Sequence, residues 1–346
     1  MKVAIITKPG SPDEAFEIKE ISDPVPREGE ALIRVLYCGI NHIDLWQRRG
    51  SRLFAVQYPR IPGSEAVGIV EKINGRSDLV REGDYVVVAP GWGDGVCRRC
   101  LIGRENECDN YTLLGYTIPG CYAEKITVPL TSLRRIPEEY VKENYLAEIS
   151  GIPLTYTTVY HGLVTKAGVE PGERVFVWSA SGGTGIASIN LGKIYGAEIY
   201  AHTRSPWKKD FLEKLGADKV IVGDYDKIDL SSLRGEMDIV IDYIGSRTFN
   251  LSLELLRRGG RLILFGVTSG HETMVNLRQI YSKRITIYGV YVGSRWEFNK
   301  IIDLYLKKLV KPHIHKVINL EKVSEAHKEL EAGEVVGKII IKHQSG

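Results

Sequence analysis

The sequence predicts an α/β protein with two parts: a β-rich part, and a nucleotide-binding part built on a doubly wound parallel sheet. The chain returns to the first part at its end. Three observations predict this. Residues 1–150 are short apolar runs punctuated by Gly, Pro and Asp. After about residue 155 strands and helices alternate, which demands a parallel sheet covered on both faces. The run Ser179-Ala180-Ser181-Gly182-Gly183-Thr184-Gly185 sets a glycine-rich turn between a strand and a helix.

In chain order, Met1–Thr7 reads as a first strand, followed by strands over Ala31–Tyr37, Ala66–Ile73, Tyr85–Val88 and Glu124–Val128. The second part reads as strand Arg174–Ser179, helix Ile186–Tyr195, strand Glu198–His202 and a charged helix Pro206–Leu215. Strands Lys219–Val222 and Asp238–Tyr243, helix Arg247–Leu256 and strand Gly260–Phe265 follow. An apolar β run, Arg284–Val292, comes late in this part. Two helices, Trp296–Leu309 and Ser324–Ala332, and a last strand, Gly337–Lys342, end the chain. The expected boundaries are 1–155 with 295–346 for the β-rich part, and 156–294 for the nucleotide-binding part.

The 346 residues suffice for two domains with cores of their own. No apolar run approaches the roughly 20 residues of a membrane span, and the N-terminus lacks a signal peptide's apolar core, so a cytoplasmic protein is expected. A net charge of +3, with both signs mixed along the chain, argues against nucleic acid or a membrane as partner. Three of the five cysteines fall within a short block, which reads as a metal site rather than a disulfide framework. Only four glutamines (Gln47, Gln57, Gln279, Gln344) among many Lys, Arg, Glu and Ile lean towards a thermophilic source.

The glycine turn lets the backbone approach a pyrophosphate at a helix N-terminus, where N–H donors and the positive dipole end meet an anion. The end of the next strand reads His202-Thr203-Arg204-Ser205, with Lys208 and Lys209 close by. No carboxylate stands there to bind a ribose 2′-hydroxyl. Arg204, Thr203, Ser205 and Lys208 suit a 2′-phosphate instead, so NADP(H) is expected. Asp94, Cys97, Cys100 and Cys108, in a lobe over about 91–111, have the spacing of a closed four-ligand zinc site. One structural Zn²⁺ per subunit is expected.

Together these features resemble the medium-chain dehydrogenase/reductase superfamily over nearly the whole chain. Gly63-Ser64-Glu65-Ala66-Val67-Gly68-Ile69-Val70 resembles the family's Gly-His-Glu segment. Asp94–Cys108 resembles its structural-zinc lobe, with Asp in the place of the first Cys. Ser181–Gly185 resembles its cofactor turn, and Gly337-Lys338 the end of its closing strand. The resemblance implies a GroES-like catalytic domain and a Rossmann domain. It also implies cofactor contacts at His42, Thr158, Ser181, Gly182, Gly183, Thr184, Gly185, Gly245, Gly266, Val267, Val292, Gly293 and Lys338, and a homodimer or homotetramer paired through the 284–292 strand.

The departures bear on the chemistry. Zinc alcohol dehydrogenases of the family hold a catalytic metal with a Cys, a His and a third Cys or acidic residue. This chain places Asn41, Ser64 and Leu154 there, with Cys38 three residues too early and Ile43 at the proton-relay position. An amide, a hydroxyl and an isobutyl group do not make a three-ligand zinc site. His42 reads as a packing residue or as a contact to the cofactor pyrophosphate, and Asp44 and Glu65 as remnants of the shell around the lost metal. Alcohol oxidation removes a proton of pKa near ~16, a task for a Lewis acid. Hydride delivery to a quinone or an α,β-unsaturated carbonyl asks only that the acceptor oxygen be stabilised, and one placed donor contributes roughly 3 kcal/mol. Asn41 is the first candidate donor and Tyr156 a candidate proton source. The reading is an NADPH-dependent quinone or enone reductase of the quinone-oxidoreductase branch. The alternatives are an enoyl-CoA or acryloyl-CoA reductase, with Arg48, Arg49, Arg52 and Arg60 meeting CoA phosphates, a true alcohol dehydrogenase, or a non-catalytic NADPH-binding protein.

Overall fold

The computed structural model describes residues 1–50 and 56–344. The chain forms two compact units. One comprises Met1–Leu154, Ser294–Asp303 and Pro312–Gly346; the other comprises Thr155–Gly293 and Leu304–Lys311.

The first unit is built on a seven-stranded sheet. Its order is Ile314–Asn319, Lys338–Lys342, Glu30–Gly39, Glu65–Asn74, Tyr85–Val88 and Leu133–Arg135, and Lys125–Pro129 also pairs with Glu30–Gly39. All these pairs are antiparallel except Ile314–Asn319 with Lys338–Lys342. The central strand Glu30–Gly39 alternates Ala31, Ile33 and Val35 into a core completed by Ile126, Val128, Ile339 and Ile341. Ile33 and Ile341 are fully buried, and truncating either to Ala costs about 2–5 kcal/mol. This pairing brings the C-terminal strand beside the end of Glu30–Gly39, with Ile340 opposite Gly39.

The second unit carries a six-stranded, wholly parallel sheet. Its order is Lys219–Val222, Glu198–Thr203, Arg174–Val177, Met237–Asp242, Leu256–Leu264 and Thr286–Gly289. Numbered along the chain this is 3-2-1-4-5-6, the doubly wound order whose reversal point lies beside the first strand. Leu256 already pairs with Met237, so the strand that the glycines at 259–260 delay in the sequence begins four residues earlier, with a register shift before Arg261. The last strand is shorter than its apolar run. Arg284 and Val292 both have positive φ (57° and 54°), which extended backbone does not allow, so pairing is confined to Thr286–Gly289 at the sheet edge.

Pro153–Val159 is helical although Leu-Thr-Tyr-Thr-Thr-Val is a β-prone run. Thr155 to Val159 are all buried, and packing overrides the local preference. Among the described residues no helix is long and apolar enough to cross a membrane.

Candidate functional site

In the second unit the glycine turn leaves the first strand, Arg174–Val177, and enters the helix Gly183–Ile194, with Gly182 as N-cap. The first N–H groups of a helix have no intrahelical acceptor, so this end offers donors to an anion. A side chain at Gly185 would set its Cβ 2.3 Å from the Ala180 carbonyl, so only Gly allows the helix to lie this close to the strand end. At Gly182 a Cβ would meet nothing within 4 Å, which leaves the approach to the turn open. Ser179 is held at a left-handed φ of 48°. Its N–H donates to His202 Nδ1 (3.3 Å), its carbonyl accepts from Tyr243 Oη (2.8 Å), and its hydroxyl bonds Tyr225 Oη. His202 donates from Nε2 to Gly223 O (2.9 Å), and burial pushes its imidazole down to about 4. It is therefore a neutral brace between the turn and the neighbouring strand.

Gly245, Gly266, Val267, Val292 and Gly293 all follow the C-terminal ends of parallel strands, the same edge that carries the turn. The loop at Gly245 is set by buried Asp242, which accepts from the N–H groups of Ile244 and Gly245 and from the Thr248 and Ser252 hydroxyls. Thr158 is buried in its helix.

Thr203 ends the second strand and Arg204 follows, exposed, its guanidinium over the Tyr225 ring at 5.5 Å. Arg247 lies over the same ring at 5.0 Å and pairs with Asp224 and Asp226. Lys208 is buried, with its amine 4.9 Å from the Trp207 ring; desolvation, then the Arg204 charge, lowers its pKa. Carboxylates absent from the second strand's end thus reach this region from beyond the third strand, already neutralised by Arg247. Tyr156, the candidate proton source, donates its hydroxyl to Asn190 Oδ1 at 3.0 Å, an acceptor shared with Lys311 N. Both residues of that bond lie in the second unit.

In the first unit, Asp94, Cys97, Cys100 and Cys108 bring one ligand atom each within 4.8 Å of the others. Cys97 Sγ is 3.5 Å from Cys100 Sγ and 3.7 Å from Cys108 Sγ, close to the ~3.8 Å edge of a tetrahedron with Zn–S near 2.3 Å. Backbone N–H groups donate to the sulfurs: Cys100 N to Cys97, Asp94 N and Asn110 N to Cys108. Asp94 Oδ1 accepts from Val96 N and Cys97 N, and Oδ2 from Asn110 Nδ2, which hold its carboxyl well below the usual range. A ready carboxylate beside three cysteine sulfurs, two of which accept backbone N–H groups, fits a closed metal site.

The positions where the resemblance puts a catalytic metal are occupied differently. Lys338 Nζ donates to Ile40 O (2.7 Å) and Asn41 Oδ1 (2.6 Å), and forms an ion pair with Glu65 Oε2 (2.7 Å). Asn41 Nδ2 donates to Glu65 Oε2 (3.0 Å) and to Gly39 O (3.4 Å). Glu65 Oε1 accepts from Leu154 N at 2.7 Å. Ser64 is fully buried and its hydroxyl has no partner among the described residues. This donor set does not fit a catalytic divalent ion: the amide is bonded at both ends, Leu154 offers a backbone N–H, and an ammonium lies among them. Asn41, the expected oxyanion donor, has both amide protons already placed on protein acceptors.

Asn41 also caps the helix His42–Arg49. Asp44 Oδ2 accepts from Asn41 N (2.8 Å) and Tyr122 Oη (3.2 Å), and Oδ1 accepts from Gly63 N (3.1 Å). Tyr122 Oη meets His327 Nε2 at 3.1 Å. Burial raises the Asp44 carboxyl to about 6 against the pull of these donors and of Lys338. His42 is exposed at the helix start. The cysteine reading needs a correction: only three of the five are free, because Cys38 and Cys121 form a disulfide, both fully buried. Eighty-three residues separate them, so no spacing pattern announces the pair. Gly63, at φ 102°, packs on both sulfurs; a Cβ there would sit 2.9 Å from each. The arginine cluster also reads differently in three dimensions. Arg48 is buried and bonded to Gly10 O and Glu331, and Arg60 is bonded to Tyr116 O. Arg49 pairs with Glu331, and Arg52 lies outside the described residues. Arg48, Arg49 and Arg60 are thus tied to protein acceptors.

Comparison with known proteins agrees with the architecture. Residues 27–138 match the model of the alcohol dehydrogenase GroES-like domain, and residues 183–307 that of the zinc-binding dehydrogenases. The acryloyl-coenzyme A reductase of Sulfurisphaera tokodaii is 31% identical, with 99% of this chain and 100% of that protein covered. The alcohol dehydrogenase of Geobacillus stearothermophilus is 28% identical, covering 99% of each. Among solved structures, a cobalt- and zinc-bound thermostable alcohol dehydrogenase from Pyrobaculum aerophilum superposes with a TM-score of 0.87 at 33% identity, covering 99% of both chains. A nucleotide-binding sheet joined to a GroES-like unit defines an NAD(P)-dependent oxidoreductase. The chain belongs to the medium-chain dehydrogenase/reductase superfamily.

Proposed function

We propose that this protein reduces an α,β-unsaturated carbonyl, with a short-chain 2-enoyl thioester as the first substrate class, using NADPH and no catalytic zinc. The observation that carries the reading is the Asn41–Glu65–Lys338 network, which fills with protein hydrogen bonds the positions a catalytic ion would need. The acryloyl-coenzyme A reductase relative supports the thioester class; Arg48 and Arg60, bonded to protein acceptors, add nothing to it. Arg204 and Lys208 support NADPH over NADH. The Asp94–Cys108 group supports one structural zinc, which would pin the lobe and supply no open coordination position. Exposed Leu277 and Tyr281 flank the edge strand Thr286–Gly289 and support a homo-oligomer paired there.

Bound NADPH would supply a hydride to the β-carbon, leaving the electron pair on the carbonyl oxygen until a solvent proton reaches the α-carbon. The chain's part is to hold the glycine turn against the pyrophosphate through Ser179, His202 and Gly185, and to keep Asn41 and Glu65 in one arrangement. The test follows NADPH oxidation with acryloyl and crotonyl thioesters, a cyclic enone and a benzoquinone, and NADP⁺ reduction with alcohols, on protein whose zinc content is measured. Saturated thioester or ketone product with about one zinc per subunit is the expected result. Rapid alcohol oxidation with about two zincs would refute it. Quinone turnover without thioester turnover would move the substrate class and leave the metal-free hydride transfer intact.

A further inference from the structure

We infer, resting on the metal site proposed above, that Glu105 is a positioning residue that carries metal binding in the Asp94–Cys108 lobe to the start of the helix Arg295–Leu306. Glu105 opens the short turn Glu105–Glu107 between Cys100 and Cys108, and its two ends face different partners. Its carbonyl accepts from Cys108 N at 3.0 Å, so its backbone is fixed to a ligand residue. A Cβ at Gly93 would lie 3.1 Å from that carbonyl and 3.0 Å from Cys108 Cβ, so the turn has little room to shift. Its carboxylate leaves the lobe: Oε1 accepts from Arg295 N, 190 positions along the chain. Both residues belong to the first unit.

The first N–H groups of a helix lack intrahelical acceptors. At this helix Ser294 and Glu297 form a reciprocal cap: Ser294 N donates to Glu297 Oε2 at 2.6 Å, and Glu297 N to Ser294 Oγ at 3.3 Å. The Arg295 N–H, first in the helix, is met by Glu105 instead. That bond is charge-assisted, and a carboxylate at the positive end of a twelve-residue helix strengthens it. Arg295 follows closely on Gly293, where the chain passes from the second unit to the first. The segment before it holds Val292 at φ 54°, a backbone that a β-branched residue keeps only when its surroundings impose it. On one side Val290 N is bonded to Leu264 O at 2.9 Å; on the other stand the Ser294–Glu297 cap and Glu105. Four ligand groups closed on one ion would fix Cys108, and through the Glu105 backbone the carboxylate that meets Arg295.

The experiment measures hydrogen exchange by mass spectrometry over residues 290–298, with the central strand Glu30–Gly39 as the control for global opening. It compares zinc-loaded wild type, the same protein after chelation, Glu105→Ala and Glu105→Gln, with zinc content read for each. Chelation of wild type should speed exchange over 290–298 about tenfold, the scale of one charge-assisted hydrogen bond, and leave the control strand unchanged. Glu105→Ala should show the same faster exchange with about one zinc still bound, and chelation should then add nothing there. Glu105→Gln, which keeps an acceptor oxygen without the charge, should fall between the two, and it decides the matter if the alanine variant fails to fold. Unchanged exchange over 290–298 in chelated wild type would overturn the inference. So would a response to chelation undiminished in Glu105→Ala or in Glu105→Gln. A wild type that takes up no zinc refutes the metal site and the transmission with it; zinc bound with unchanged exchange refutes the transmission alone.

Discussion

Replacing both Cys38 and Cys121 with Ala tests a feature that reaches from the core to the Asn41 cluster. The disulfide closes a loop of 83 residues, and loop-closure entropy in the unfolded chain is worth about 4.5 kcal/mol for a loop of that length. Both residues are fully buried, so losing two sulfurs also leaves a small void, costing about 1 kcal/mol more. Roughly 5 kcal/mol corresponds to a melting temperature lower by about 10–15 °C for a unit of this size. The loss should reach the site as well. Cys38 stands three residues before Asn41, Gly63 packs on both sulfurs, and Cys121 Sγ lies 3.1 Å from Glu65 O. The assay has two parts. Unreduced wild type, unfolded in guanidinium with a chelator, should titrate three thiols, those of Cys97, Cys100 and Cys108, and five after reduction. Calorimetry then compares wild type with the double variant. Five thiols before reduction, or an unchanged melting temperature, would refute the reasoning.

Three other perturbations give distinct outcomes. Cys97→Ser with Cys108→Ser should reduce bound zinc from about one atom per subunit to none by elemental mass spectrometry; retained zinc would place the metal elsewhere. Arg204→Ala should weaken NADPH about 10–100-fold, the worth of a charge-assisted phosphate contact, and leave NADH nearly unchanged; equal losses for both would remove Arg204 from the 2′-phosphate. Asp44 has its folded pKa raised to about 6, above about 3.9 in the unfolded chain, so its ionised form costs the fold about 3 kcal/mol above pH 6. That cost is absent below pH 4 and grows as pH rises through this window. Asp44→Asn should flatten that dependence in urea unfolding at pH 4.5 and 7, while losing about 1–3 kcal/mol because an amide cannot accept from both Asn41 N and Gly63 N; an unaltered pH dependence would refute the assignment.

Local chemistry made much of this protein legible. Short apolar runs bounded by Gly, Pro and Asp marked the strands over 31–37, 66–73 and 85–88, because a buried strand is a brief apolar stretch between turns. The glycine turn was legible because close backbone approach at Gly185 admits no Cβ. Asp94, Cys97, Cys100 and Cys108 were legible as one group because a short stretch of chain gathers them within 4.8 Å of one another. Helix Pro153–Val159 was not, since its β-prone residues are overruled by burial.

The sequence by itself determined the two-part α/β architecture, the glycine turn and the grouping of Asp94 with Cys97, Cys100 and Cys108, all of which depend on neighbours within a few tens of residues. It also named the three non-ligating residues Asn41, Ser64 and Leu154. Only the tertiary structure decided what those residues face. Lys338 meets Asn41 across 297 positions of chain, Cys38 meets Cys121 across 83, and Tyr122 meets His327 across 205. Such contacts arise from the order in which strands join a sheet, and a buried charge or sulfur takes its partner from whatever that order brings within reach.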